Sequence, residues 1–193
     1  MSKAGGRLFV LSAPSGSGKT TMLQALLKKD PKRVRSVSAT TRPPRPGERP
    51  GKDYFFFSRA QFRRGISRGK FLEHARVLQN WYGTPRGPVE KALRAGKEVL
   101  LGIDIQGARQ IRRSGLPATT IFLLPPSLKV LRQRLRRRGT ETPAQIRQRL
   151  RLAREELKEV ERYDYAVVND RLQDAVAVVE AILQAEHHRV GKK

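Results

Sequence analysis

The amino-acid sequence predicts an α/β fold: a doubly wound, mostly parallel sheet with an inserted subdomain and a helical lid. Three observations carry this. Four short apolar runs lack the strict alternation of a half-exposed strand, as strands covered on both faces do. Helical patterns separate those runs, and strands alternating with helices build parallel sheets because each crossover returns across a face. The first run leads into a helix through a glycine-rich turn, the usual place for an anion cradle in such folds.

In chain order, the first strand is expected at 7–12 and the first helix at 19–29. Further strands are expected at 98–103, 119–124 and 164–168, with helices at about 86–95, 106–114, 127–138, 143–161 and 171–188. Two segments stand outside the alternation. From Ser36 to Tyr82 the chain reads as loop, the short strands Tyr54-Phe55-Phe56-Phe57 and Phe71-Leu72-Glu73-His74, and one helix near 59–68, which suggests an inserted subdomain. From 127 to 160 two arginine-rich helices flank Arg138-Gly139-Thr140-Glu141-Thr142-Pro143, a helix stop followed by a helix start, and the pair reads as a flap over the core.

A length of 193 residues suits one domain with a self-sufficient core. No run approaches the roughly 18 apolar residues of a membrane span, and no signal-like stretch precedes the first strand, so a soluble, unexported, cytoplasmic protein is expected. The absence of cysteine excludes disulfides and thiolate chemistry. With 41 basic against 17 acidic residues, the net charge of +24 favours anionic partners. Much of the excess lies in helical stretches such as Arg132 to Arg138 and Arg147 to Arg154, where a solvated face is the simplest reading. No zinc spacing, helix-turn-helix or RNA-binding aromatic set accompanies it, so nonspecific, salt-sensitive binding is the most that charge implies for nucleic acid.

Ala13-Pro14-Ser15-Gly16-Ser17-Gly18-Lys19-Thr20-Thr21 has the parts of a P-loop. A glycine-rich turn lets consecutive N–H groups converge on phosphate oxygens, Lys19 adds charge, and the Thr20 hydroxyl suits Mg²⁺. Ala13 stands where the usual pattern has its first glycine. Asp104, at the end of the strand 98–103, is placed to present an acid towards the same phosphates and their metal, and it also suits the N-cap of the following helix. Ser38-Ala39-Thr40-Thr41-Arg42-Pro43-Pro44-Arg45-Pro46-Gly47-Glu48, followed by Tyr54, sets two arginines in a proline-stiffened loop, a clamp for a second phosphate group.

The run Ser38 to Gly47, together with Phe71-Leu72-Glu73-His74-Ala75, Asn80-Trp81-Tyr82-Gly83-Thr84, Ile103-Asp104-Ile105-Gln106-Gly107, the segment Phe122 to Ser127, Arg134 to Thr140 and Val168-Asn169-Asp170, resembles the guanylate kinase family over nearly the whole chain. Ala13 belongs to that family's form of the P-loop. The resemblance implies a P-loop NTPase-type core (about 1–36, 83–126 and 161–193), a GMP-binding subdomain (about 37–82) and a lid (about 127–160). It implies phosphoryl transfer from ATP to GMP with Mg²⁺ and names K⁺ as a further candidate ion. By it, Arg42, Arg45, Tyr54 and Tyr82 match positions that hold the GMP phosphate, and Ser38, Glu73, Thr84 and Asp104 match positions around the guanine. A carboxylate suits guanine, whose N1–H and N2 amine are adjacent donors. On the donor side Lys19 and the P-loop amides hold phosphates, the lid arginines Arg134, Arg138 and Arg149 close over the transferring group, and Asn169 matches an adenine-side contact.

One departure stands out. The family usually carries an acid two residues before the position of Asp104, and here Gly102 stands there, so a carboxylate near the metal and phosphates is missing. Three rival readings are kept: a related kinase of a ribose bisphosphate, a non-catalytic phosphopeptide-binding module of guanylate-kinase type, and charge-driven nucleic-acid binding. The guanine-reading set argues against the first and the intact P-loop against the second. Monomer and homo-oligomer both remain open.

Overall fold

The computed structural model describes residues 5–77, 79–137 and 142–190. In chain order the elements are β1 (Arg7–Ser12), α1 (Lys19–Lys29), β2 (Arg33–Arg35), β3 (Ala39–Thr40), β4 (Phe55–Phe56), α2 (Arg59–Ser67), β5 (Phe71–Val77), β6 (Asn80–Pro85), α3 (Arg86–Arg94), β7 (Glu98–Gly102), α4 (Ile105–Arg113), β8 (Thr119–Leu124), α5 (Leu128–Arg137), α6 (Pro143–Leu157), a 3₁₀ turn at Val160–Arg162, β9 (Tyr165–Val168) and α7 (Leu172–His187). They fall into two compact units. One takes the chain up to Leu8 and Lys32–Ala118; the other takes Phe9–Pro31 and the chain from Thr119 onward.

In the second unit β1 runs parallel to β8, from Phe9 opposite Thr119 to Ser12 opposite Phe122, and β8 runs parallel to β9. Phe9, Val10 and Leu11 are all fully buried, so both faces of this strand are covered. Helix α1 buries Met22, Leu23 and Leu26, and α7 buries Ala175, Val176, Val179 and Leu183, the spacings of one apolar helical face. Helices α5 and α6 enclose a separate small core of Leu131, Leu135, Ile146 and Ala153. The start of α6 is fixed by a capping box, in which Thr142 and Gln145 satisfy each other's backbone N–H, and by Pro143 in the first turn. The helix stop expected at 138–141 lies outside the described residues.

The first unit holds a parallel pair, β2 with β7, in which Arg33 lies opposite Glu98 and its Nε donates to the carboxylate at 2.8 Å. It also holds a four-stranded mixed sheet in the order β4-β3-β6-β5. Helix α2, capped by Ser58 and Gln61, packs on that sheet by burying Phe62, whose ring stacks on Phe71 at 4.4 Å.

The strands and helices follow the expected order with four differences. The short strands β2 and β3 and the longer β6 carry no apolar run of their own and are defined by their partners. Strand β6 spans the boundary at 82–83 between the expected subdomain and core. The helix expected to run to 161 stops at Leu157, where Lys158 and Glu159 donate to carbonyls three residues back and tighten the chain. The strand expected to reach 103 ends at Gly102, so Asp104 lies beyond it and caps α4.

Candidate functional site

At the end of β1 the chain buries Ala13 and Pro14, exposes Ser15, and turns so that Ser17 N donates to Pro14 O at 3.1 Å. Gly16 (φ 96°) and Gly18 (φ 91°) both adopt the left-handed region that other residues avoid. Both positions are also crowded. A Cβ on Gly16 would press on Leu131 and Leu135 of α5, and one on Gly18 would overlap Nδ2 of Asn169. Gly18 is the N-cap of α1 and makes no side-chain cap, and the first turn carries no acidic residue. The opening N–H groups of α1 are therefore not answered by a carboxylate of that turn, which suits an anion. Lys19, half-buried, and the exposed Thr20 and Thr21 form that first turn.

Asn169 locks the cradle. It is 4% exposed, its Nδ2 donates to Ser17 O at 2.7 Å, and its own N donates to Leu124 O at 2.8 Å. Arg134 of α5 donates from Nη2 to the carbonyls of Asn169 and Asp170 at 2.9 and 3.1 Å. Arg149 of α6 donates to the Ser15 hydroxyl. Two of the three lid arginines thus meet the loops at this end of the second unit; Arg138 lies outside the described residues.

The first unit assembles the other set. Glu73, on β5, is 5% exposed, and its Oε1 accepts from the Thr84 hydroxyl of the paired strand at 2.6 Å. Arg42 leaves β3 at a half-buried position. One of its guanidinium nitrogens donates to both oxygens of Glu48, at 2.8 and 3.0 Å, the other to Pro43 O at 2.6 Å, and the cation lies 5.4 Å from the centroid of the Tyr54 ring. The bond to Glu48 holds the Arg42 guanidinium above its ordinary pKa. That bond, followed by the bond from Arg45 N, holds the Glu48 carboxyl below the usual carboxylate range. Tyr54 and Tyr82 meet edge to face at 6.2 Å. Arg45 is exposed and enters through its backbone N, which donates to Glu48 at 2.7 Å. Ser38, half-buried, anchors β4 by accepting from Phe55 N at 2.9 Å. Asp104 caps α4, accepting from Gly107 N at 2.8 Å.

The two arginines were expected at this site; Glu48, three residues after Arg45 and linked to both of them, was given no role. Gln110, which joins α4 to β5, was given none either. An acid three residues after Arg45 in a basic turn is a readable signal; Gln110 has none short of the fold.

A family model described as guanylate kinase matches residues 5–186. The chain belongs to the guanylate kinase family. A guanylate kinase of Clostridium perfringens (strain SM101 / Type A) is 49% identical over 187 residues, covering 97% of this chain and 87% of the relative. One of Gloeobacter violaceus is 50% identical over 180 residues, covering 93% and 88%. The crystal structure of guanylate kinase from Anaplasma phagocytophilum superposes with a TM-score of 0.80 at 38% identity, over 98% of this chain and 90% of that one. In guanylate kinase terms the two units divide the equipment: the P-loop with Arg134 and Arg149 in one, and the arginine loop with Glu73, Thr84, Tyr54 and Tyr82 in the other.

Proposed function

We propose that this chain transfers the γ-phosphoryl group of ATP to GMP, giving ADP and GDP, as an enzyme of purine nucleotide metabolism in the cytoplasm. The observation that carries the choice of acceptor is Glu73, a buried carboxylate steadied by Thr84. Guanine offers such a carboxylate two adjacent N–H donors, where adenine has an acceptor at N1. Ser38 and Asp104 complete the base-reading set in this proposal. Arg42 and Arg45, backed by Tyr54 and Tyr82, hold the acceptor phosphate, with Arg42 already held in place by Glu48.

On the donor side the N–H groups from Gly16 to Thr20, with Lys19, hold the β and γ phosphates, and Asn169 braces their turn through the Ser17 carbonyl. Arg134, Arg138 and Arg149 supply further positive charge. The attacking atom is an oxygen of the GMP phosphate, already anionic, so no side chain has to remove a proton. Catalysis is alignment and charge stabilisation. Mg²⁺ neutralises charge on the transferring group when bound. Its expected site fits the donors present, because a single P-loop hydroxyl, Thr20, with nucleotide phosphates and waters is the usual Mg²⁺ arrangement. Among the described residues no cluster of three or more His, Asp or Glu offers an all-protein cage instead. Among them also, no helix is long and apolar enough to cross a membrane.

The test is ADP release from ATP and Mg²⁺ with GMP, AMP, CMP, UMP and a ribose bisphosphate as acceptors. GMP is expected to exceed every other acceptor by at least about 100-fold in kcat/KM, since a site built on buried hydrogen bonds rejects bases that leave them unmade. Equal use of a ribose bisphosphate, or no turnover with GMP, would overturn the assignment.

A further inference from the structure

Strand β5 is the edge of the four-stranded sheet, paired with β6 on one side only. Its register is irregular just before Glu73: Phe71 pairs with Pro85 and Glu73 with Thr84, so three residues of β5 span two of β6. A bulge of this kind re-aims the side chain that follows it, and a slip of one residue turns that side chain to the opposite face. An edge strand next to a bulge is a weak platform for a residue that must read a base.

The other edge of β5 is held by a side chain. Gln110, half-buried on α4, accepts from His74 N at 3.0 Å and donates to His74 O at 2.6 Å. One amide side chain thus makes the pair of bonds that a further strand would make to that residue. His74 directly follows Glu73, and it is the residue whose N–H and C=O face away from β6 in this alternation. One turn earlier on the same helical face, Gly107 leaves the space that Glu73 occupies. A Cβ there would lie 2.9 Å from Glu73 Cδ and closer still to Oε2.

We propose that Gln110 is a positioning residue for base selection, with Gly107 opening the space: α4 fixes the register of β5 so that the Glu73 carboxylate meets the acceptor base. This rests on the reading of Glu73 as the guanine-binding acid. Gln110 touches no substrate in this account, and its effect is confined to where Glu73 points.

The experiment measures kcat/KM for GMP and for AMP, the KM for ATP and the melting temperature, in the wild type, Gln110→Leu and Gln110→Glu. Leucine has a similar bulk and makes neither bond; glutamate keeps the acceptor for His74 N–H and sets an oxygen against His74 O. Both variants are expected to lose about tenfold or more in kcat/KM for GMP, chiefly through KM, while AMP changes by less than about threefold. The ATP KM is expected to stay within about twofold, because the cradle is untouched. A variant that melts lower yet keeps the wild-type GMP to AMP ratio would overturn the inference, since a purely structural Gln110 moves stability alone. Should Gln110→Leu fail to fold, Gln110→Glu carries the test on the same ratio. A wild type that does not prefer GMP would instead remove the reading of Glu73 beneath it.

Discussion

Replacing Asn169 with Ala separates two roles for that residue. In the structure its side-chain amide is committed to the Ser17 carbonyl at 2.7 Å, in a position only 4% exposed, and it packs against Gly18. Removing the amide leaves that carbonyl without this donor, which costs about 1–3 kcal/mol. For a chain of this length each kcal/mol shifts the melting temperature by about 2–4 °C, so a fall of about 2–12 °C is expected. The backbone bonds of residue 169, to Leu124 and from Arg134, survive the substitution and limit the damage to the cradle. The assay is a melting curve together with kcat/KM for ATP and for GTP as donors. The variant is expected to melt lower and to lose efficiency with both donors by a similar factor, because a loosened cradle weakens phosphate binding whatever the base. An unchanged melting curve with a collapsed ATP to GTP ratio would refute the reasoning and leave Asn169 as a base contact.

Lys19→Ala is expected to lower turnover at least about 100-fold with an unchanged far-ultraviolet circular-dichroism spectrum, because a preorganised charge in the cradle is removed without touching the core; near-wild-type turnover would remove the P-loop assignment. The Glu48 carboxyl is lowered in the folded protein by Arg42 and by Arg45 N, so its stabilising effect is present above the unfolded value and lost as pH falls through the folded one. Wild type is therefore expected to melt above Glu48→Gln at neutral pH, with the gap closing as pH drops below about 4; a gap that persists at lower pH would mean the carboxylate charge is not its source. Gly102→Asp is expected to lower the Mg²⁺ concentration for half-maximal rate, since the family usually carries an acid at that position and such acids orient metal-bound waters. A higher or unchanged requirement in a normally melting variant would count against Gly102 as the place of a lost acid.

What the sequence made readable was what short spacing encodes. The apolar run into Gly16, Gly18 and Lys19 announced strand, turn and helix within about twenty residues, and α1, α4 and α7 fell within a residue or so of their expected limits. The capping pairs Ser58–Gln61 and Thr142–Gln145 are local as well and fix where α2 and α6 begin. The elements that escaped are defined at a distance. β3 is two residues long and exists because Ala39 and Thr40 pair with Gly83 and Tyr82. Gln110 meets His74 across 36 residues and Asn169 meets Ser17 across 152, and nothing in the local pattern of either asparagine or glutamine marks the partner. The candidate site was legible as a set of residue types; how those residues are held required the fold.

The most direct test of the account is the ratio of kcat/KM for GMP to that for AMP in wild type and in Glu73→Gln. In the proposed site the carboxylate presents two acceptor oxygens to two guanine donors, whereas the amide presents one and turns an N–H₂ towards the other. An unmade buried hydrogen bond costs about 1–3 kcal/mol, so the ratio is expected to fall by about ten- to a hundredfold, with AMP gaining relative to GMP. An unmoved ratio in a variant that melts like the wild type would contradict the account, because guanine would then be read by some other part of the chain.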